Sequence, residues 1–346
     1  MTRKKLRLGL MIVIAGITSA MAYGQTEHYA PGSYNIRDFS LPSPGFYPMV
    51  YNYGYLTDDL RNANGNQINS VTIQGPGGRV SATLNVNVNV HLYALAPTLL
   101  WVPKRTLFGV KYGAMISPTL ANASLSGLIS FAERSGQSVQ TAQFNFGDTF
   151  VAPVWLDWAG KHFDAIAIYG FYIPTGKYDV KTINVPVVGP VRVASPNNTG
   201  LGFWENQDQE AFYLYPWADK RMAVENALTW EINQKTRSFD LTKGDYLTWN
   251  WGVSEYLPLK KDQSLLAEIG IAGYGNFQVS NDTGTDARNP SVHEKAYAAG
   301  IQAGLTLPKQ TMVLNFHWFR EFDAVNRFQG TVLGLSFVLK VPPGPQ

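Results

Sequence analysis

From residue 45 onward the chain alternates between oily and wet positions. In LNVNVNVHLY, Val86, Val88, Val90 and Leu92 interleave with Asn85, Asn87, Asn89 and His91. In MAVENALTWEIN, Met222, Val224, Leu228, Trp230 and Ile232 interleave with Ala223, Glu225, Ala227, Thr229, Glu231 and Asn233. AYAAGIQAGLTLP sets Tyr297, Ala299, Ile301, Ala303, Leu305 and Leu307 against Gly300, Gln302, Gly304 and Thr306, and the last run sets Leu333, Leu335, Phe337 and Leu339 against Gly334, Ser336 and Lys340. A period of two marks a strand with two unlike faces. These runs reach ten residues or more, whereas strands of soluble proteins centre on about five or six.

The same reading along the whole chain predicts strands near 46–56, 85–96, 105–117, 148–158, 163–174, 200–214, 222–233, 246–257, 264–280, 296–307, 311–322 and 330–340, an even number. Brief connections at VPKR, AGKHF, ADKR, PLKKDQ and LPKQ alternate with longer ones near 57–84, 118–147, 175–199, 234–245, 281–295 and 323–329. Short turns on one side and long loops on the other are the asymmetry of bacterial barrels, whose strands need about 9–11 residues to cross a bilayer at a tilt. The predicted fold is all-β, a transmembrane antiparallel up-and-down β-barrel of about 12 strands over residues 46–340. Aromatic clusters at FYPMVYNYGY, VWLDW, YLYPW and YLTWNW suit headgroup depth, although core packing in a soluble β-protein would also collect them.

The ends complete the layout. Arg3, Lys4, Lys5 and Arg7 precede the 15-residue apolar run LGLMIVIAGITSAMA, and the next charge is Glu27. That is the pattern of a cleavable export signal over residues 1–24, cut after Ala22 or after Gly24, and the run is shorter than the roughly 20 residues of a spanning helix. Residues 25–45 are rich in Pro and Gly without period two and predict a lead-in or plug, and 341–346 form a C-terminal tail. The expected location is the outer membrane of a Gram-negative bacterium, with outer-membrane lipid, lipopolysaccharide, the barrel-assembly machinery and a small-molecule cargo as partners.

Composition then removes several classes of function. Taking away the signal removes four of 28 Lys+Arg and none of 25 Asp+Glu, leaving 24 against 25, so the basic balance belongs to the signal. No basic cluster interleaves with aromatics, which argues against nucleic acid. The absence of cysteine excludes disulfides, thiol catalysis and thiolate metal sites. With 15% charged and 13% aromatic residues and 32 Gly, the chain suits antiparallel sheets.

Placing the wet faces inward makes Asn85, Asn87, Asn89, His91, Lys111, Asp157, Glu225, Glu231, Glu268, His317 and Glu321 the candidate lumen lining, because a basic side chain at the bilayer midplane would cost about 2–4 kcal/mol. They would set which solutes pass, or form a polar network that fills a narrow barrel. No catalytic residue, cofactor or metal is expected. A membrane lipase would need its histidine on the outer face, whereas this register turns His91 and His317 inward, and no G-x-S-x-G elbow occurs. Asp282 and Asp286 in NDTGTDARN lack the remaining positions of a calcium loop, and the GPGG run is a turn.

Several short pieces carry a resemblance. HYAPG (His28 to Gly32), LPSPGFY (Leu41 to Tyr47), NYGY (Asn52 to Tyr55), GFW (Gly202 to Trp204), LTWE (Leu228 to Glu231), GDYL (Gly244 to Leu247) and GYGNFQVSNDTG (Gly273 to Gly284) resemble, in order, the outer-membrane family named for the MetA-pathway of phenol degradation. The resemblance implies a transporter-like barrel linked to degradation of aromatic compounds, and it carries over no binding or catalytic residue. The chain departs from common barrels in running past Phe337 to VLKVPPGPQ instead of ending on an aromatic. A structural or adhesive barrel that transports nothing is the alternative function.

Overall fold

The computed structural model describes residues 27–74, 81–131, 134–141, 144–185, 189–195, 198–287, 290–308 and 312–341. The expected signal and residues 342–346 lie outside that set. Fourteen strands form one sheet, and two of them, Ser70–Gln74 and Arg134–Thr141, are short flanking pieces. The other twelve close on themselves: β1 Gly45–Leu60, β2 Ser81–Val102, β3 Lys111–Phe131, β4 Asn145–Ala159, β5 Phe163–Ile173, β6 Glu205–Leu214, β7 Met222–Asn233, β8 Tyr246–Pro258, β9 Leu266–Gln278, β10 Lys295–Leu307, β11 Met312–Val325 and β12 Phe328–Leu339. Each pairs antiparallel with its predecessor, and β1 returns to β12 with Tyr51 opposite Ser336. Closure leaves no row of unpaired backbone groups, which hydrocarbon requires of a spanning sheet.

Burial along the strands is the inverse of a soluble protein. On β7, Trp230 is 50% exposed while its neighbour Glu231 is 0% exposed. On β10, Ile301 is open at 54% and Gln302 closed at 2%. Oily side chains outside and polar ones inside are stable only if the outside is itself oily. Aromatic pairs ring both ends of the outer face: Phe46 with Trp101 and Phe163 with Phe212 at the end where β1 begins, Phe171 with Trp204 and Tyr297 with Phe322 at the other. Rings at headgroup depth explain that placement.

The short connections after β2, β4, β6, β8 and β10 leave the strands at the Gly45 end, and the longer ones after β1, β3, β5, β7 and β9 leave them at the opposite end. The connection expected to be long near 323–329 is instead a tight turn, because β11 runs to Val325 and β12 resumes at Phe328. Asp323 and Asn326 adopt positive φ, 52° and 56°. These residue types tolerate that conformation, so polar turn chemistry here shortens the connection.

Strands β2 and β3 outlast their neighbours. Pairing of β1 with β2 stops at Thr57 and Val90, and β4 meets β3 only from Ala121, so beyond those points β2 and β3 pair with each other and with the two flanking pieces. This four-stranded extension overturns one phase. Thr98, Leu100 and Val102 are buried inside while Leu99 and Trp101 are exposed outside, so odd-numbered positions of β2 face outward. His91, opposite the exposed Leu56, and Asn89 therefore stand on the outer face and not in the lumen. Beyond bilayer depth both faces meet water, and which face is oily no longer reports inside or outside. The side chains of Asn85 and Asn87 lie outside the described set. The register argument against an outer-face lipase consequently rests on His317 alone.

Candidate functional site: the filled interior

Residues 27–44 have no strand period because they lie irregularly against the inner wall and touch it with buried and half-buried residues in no fixed alternation. Their backbone polar groups need partners there, and the wet faces of the strands provide them. The segment hydrogen-bonds to side chains of every strand from β3 to β12. It runs the height of the barrel, from Glu27 beside Arg327 at the long-loop end to Leu41 beside Asp157 at the short-turn end.

At the long-loop end the Glu27 carboxylate accepts from Asn276 Nδ2 at 2.6 Å and pairs with Arg327 at 3.3 Å. Burial pushes Glu27 up to about 7 although Arg327 pulls it down. The His28 ring lies between two carboxylates, Nδ1 2.8 Å from Glu205 and Nε2 2.9 Å from Asp148, and stacks on Tyr172 at 4.6 Å. Burial alone would lower His28, but the carboxylates outweigh it, Glu205 first, and raise it to about 9. The next backbone N–H, of Tyr29, donates to Glu231 at 2.8 Å, and Asn250 Nδ2 donates to the Tyr29 hydroxyl at 3.0 Å.

At mid-height Asn35 bridges Ser336 at 2.8 Å and His317 at 3.2 Å, while the Ile36 N–H donates to Gln302 at 2.9 Å. Gly32, at φ 77°, comes so close to the wall that a Cβ would stand 2.9 Å from Tyr274. A cavity beside it is lined by Tyr34, Ile36, Phe39, Glu225 and Tyr274.

Lower down Arg37 holds the segment with its whole fork. Nε donates to Ser254 and Glu268 at 3.0 and 3.1 Å, Nη1 and Nη2 donate to the Lys220 and Arg221 carbonyls at 2.9 and 2.8 Å, and the guanidinium lies over Tyr256 at 4.1 Å. The last turn is tied by Trp155 Nε1 to the Phe39 carbonyl, Ser40 to Asp164, the Leu41 N–H to Asp157, and Lys111 to the Leu41 carbonyl. Lys111 also pairs with Asp157 at 3.6 Å.

Seven of the eleven candidate lining residues are thus brought together on the inner wall: Lys111, Asp157, Glu225, Glu231, Glu268, His317 and Glu321. Tyr274 and Tyr55 both donate to Glu321, at 2.9 and 2.7 Å. Asp148, Asp164, Glu205 and Gln207 also face inward, but the register shift between Val151 and Val154 reverses the phase before Asp148, and β6 carries Asp208 and Glu210 on its outer face, so alternation alone does not single them out. His28 and Arg37 had no periodic signal, and only their aromatic surroundings mark them.

Gly334 faces the His317 ring across the β11–β12 ladder, and a Cβ there would overlap it. We expect Gly334→Ala to push His317 off Asn35 and lower stability by about 1–3 kcal/mol. Urea unfolding checks this, and His317→Ala in the same chain should recover much of the loss. Equal costs with and without the ring would contradict the overlap.

A closed antiparallel ring of twelve strands, oily outside and polar inside, with short turns at one end, is the architecture of bacterial outer-membrane barrels. The family described as "Putative MetA-pathway of phenol degradation" matches residues 57–337, and the chain belongs to that family. The match begins after HYAPG, LPSPGFY and NYGY, which fall outside it. Among solved structures the chain is similar to the COG4313 outer membrane channel from Pseudomonas putida F1, with 14% identity and a TM-score of 0.58 over 91% of this chain and 100% of that one. It is less similar to a Pseudomonas aeruginosa FadL homologue, with 10% identity and a TM-score of 0.38 over 93% of this chain and 98% of that one. The first likeness establishes the fold. No curated protein is significantly similar in sequence.

Proposed function

We propose that this protein is an outer-membrane channel for small, hydrophobic or aromatic compounds, and that residues 27–44 are a hatch that must shift for cargo to pass. The observation that supports it is the kind of contact holding the segment: most anchors are single hydrogen bonds and ion pairs to wall side chains, which water can replace one at a time. Family membership and the channel-like fold favour transport, and the partly buried rings of Tyr34 on the segment and of Tyr51 and Tyr172 on the wall beside it, backed by buried Tyr29 and Phe39, offer an apolar face to aromatic cargo. The same reading surrounds the outer face with outer-membrane lipid and lipopolysaccharide. The test is growth and uptake: a strain lacking this protein should take up radiolabelled phenol-type compounds more slowly, and the intact gene should restore the rate. Equal uptake in both strains would remove the cargo assignment.

Docking should respond to pH. Burial pushes Asp38 up to about 6, against the pull of hydrogen bonds from Asn35. A folded-state value above the unfolded one means that the docked segment prefers the protonated acid. Its contribution is complete below about 4 and is lost as pH rises through about 6. Tyr51, Tyr34, Tyr213, Tyr256, Glu225 and Glu268 face Asp38, and none of these supplies a compensating positive charge. Leak through reconstituted barrels should therefore rise between about pH 5 and 7, and Asp38→Asn should flatten that step. A step of unchanged size in the variant would assign it elsewhere.

A further inference from the structure

Near the long-loop end, the inner wall carries oxygen atoms that no protein group uses. On the β6–β7 ladder Glu205 stands opposite Asn233 and Gln207 opposite Glu231, and directly opposed residues point to the same side. Glu205, Gln207 and Glu231 are 0% exposed and Asn233 is 6% exposed. Part of this set is engaged. Glu231 Oε1 accepts from the Tyr29 N–H, Glu205 Oε2 is held by His28, and Asn233 Nδ2 donates to the Gly244 carbonyl. Glu231 Oε2, Glu205 Oε1, Asn233 Oδ1 and both amide atoms of Gln207 have no partner.

Two features of this set point to the same ligand. Glu205 and Glu231 stand diagonally across the same buried face of the β6–β7 ladder, and two carboxylates held side by side away from water call for a proton or a cation between them. A shared proton would settle the carboxylates, yet it would leave the Gln207 and Asn233 oxygens without partners in a buried wall. A cation bound by oxygen satisfies both demands. The surroundings favour positive charge, since Glu27 and Asp148 add two more carboxylates while His28 is already engaged by two and Arg327 is shared between Glu27 and Glu321.

The donor set also selects the cation. Both His28 nitrogens are occupied by carboxylates and the chain has no cysteine, so nitrogen and sulfur ligands of the zinc type are absent from the set. Among the described residues no three His, Cys, Asp or Glu side chains converge as a metal cluster, and half of this donor set is amide. Carboxylate and amide oxygens together are the ligands of calcium, which accepts six to eight of them in flexible geometry, whereas magnesium demands a near-ideal octahedron.

We propose that Glu205, Gln207, Glu231 and Asn233 form a binding site for a divalent cation of the calcium type on the inner wall. Glu231 also holds the Tyr29 N–H, so the bound cation fixes the carboxylate that anchors the upper part of residues 27–44. The site stands whether or not the barrel conducts, and its test does not use conductance. The mature full chain, folded in detergent and stripped with a chelator, is titrated with calcium chloride by calorimetry. The expected result is one calcium ion per barrel, with affinity at least tenfold lower in Glu231→Gln and in Gln207→Leu, and magnesium at least tenfold weaker than calcium on the wild type. Heat-modifiable gel mobility shows which variants are folded. If Glu231→Gln fails to fold, Gln207→Leu, which removes no charge, decides alone. No saturable calcium binding by the folded wild type, or wild-type affinity in the folded variants, overturns the proposal. The first of these outcomes would leave a shared proton between the two glutamates.

Discussion

Deleting residues 27–43 from the exported chain is expected to raise single-channel conductance and liposome permeability at least tenfold, with the barrel still folded. The strand ladder and the outer face do not use the segment, so removing it opens space without opening the ring. What remains on the inner wall is polar, including Asp148, Asp157, Asp164, Glu205, Glu225, Glu231, Glu268 and Glu321, and water can solvate these groups once the segment is gone. The excess of carboxylates over Lys111, Lys220 and Arg327 makes the opened pore cation-selective, which reversal potentials in a salt gradient will show. Stability should fall, because buried Tyr29, Ile36, Phe39 and Leu41 each contribute about 1.5–3 kcal/mol of apolar burial. A deletion that folds, by its heat-modifiable mobility, yet conducts like the intact protein would end the hatch reading and leave the barrel untouched.

Ile301→Arg should cost about 2–4 kcal/mol when unfolding is measured in lipid vesicles. Ile301 sits at the centre of β10, 54% exposed, beside Ile271 at 57% and Trp318 at 39%. On a soluble surface the same substitution would change stability by about 0.5 kcal/mol or less. The two expectations differ by several-fold, so one variant distinguishes a lipid-facing wall from a wet one. Ile301→Leu, which keeps the face oily, should stay within about 1.5 kcal/mol of wild type. A folded Ile301→Arg barrel of wild-type stability in vesicles would contradict the placement of this face in hydrocarbon.

Several elements were legible before any coordinates. Met222 to Asn233, Lys295 to Leu307 and the final strand were readable almost to the residue, because a lipid-facing strand with a polar inner face has one allowed phase. The same logic turned Glu225, Glu231, Glu268, His317 and Glu321 inward. It failed for Asn89 and His91, which flank the point where β2 parts from β1 while staying paired with β3. It also missed the full length of β3. Residues 118–131 alternate among small side chains, whose contrast between faces is weak, and pairing with β2 extends the strand in spite of it. The tight turn at Asn326 was hidden for the opposite reason, since Asp323 and Asn326 are equally at home in a long loop.

Alternation every two residues, at bilayer length and with no apolar run of spanning-helix length, determined by itself that the chain forms a closed antiparallel wall with its polar side inward. That follows because hydrocarbon tolerates neither an unpaired backbone group nor an exposed charge. Tertiary structure alone decided what occupies the interior. His28 between Asp148 and Glu205, and Arg37 spanning Glu268, Ser254 and two carbonyls, join positions 120 to 231 residues apart in sequence. No local period encodes such contacts, because an irregular segment whose partners come from every strand between β3 and β12 has no fixed wet face and oily face to alternate.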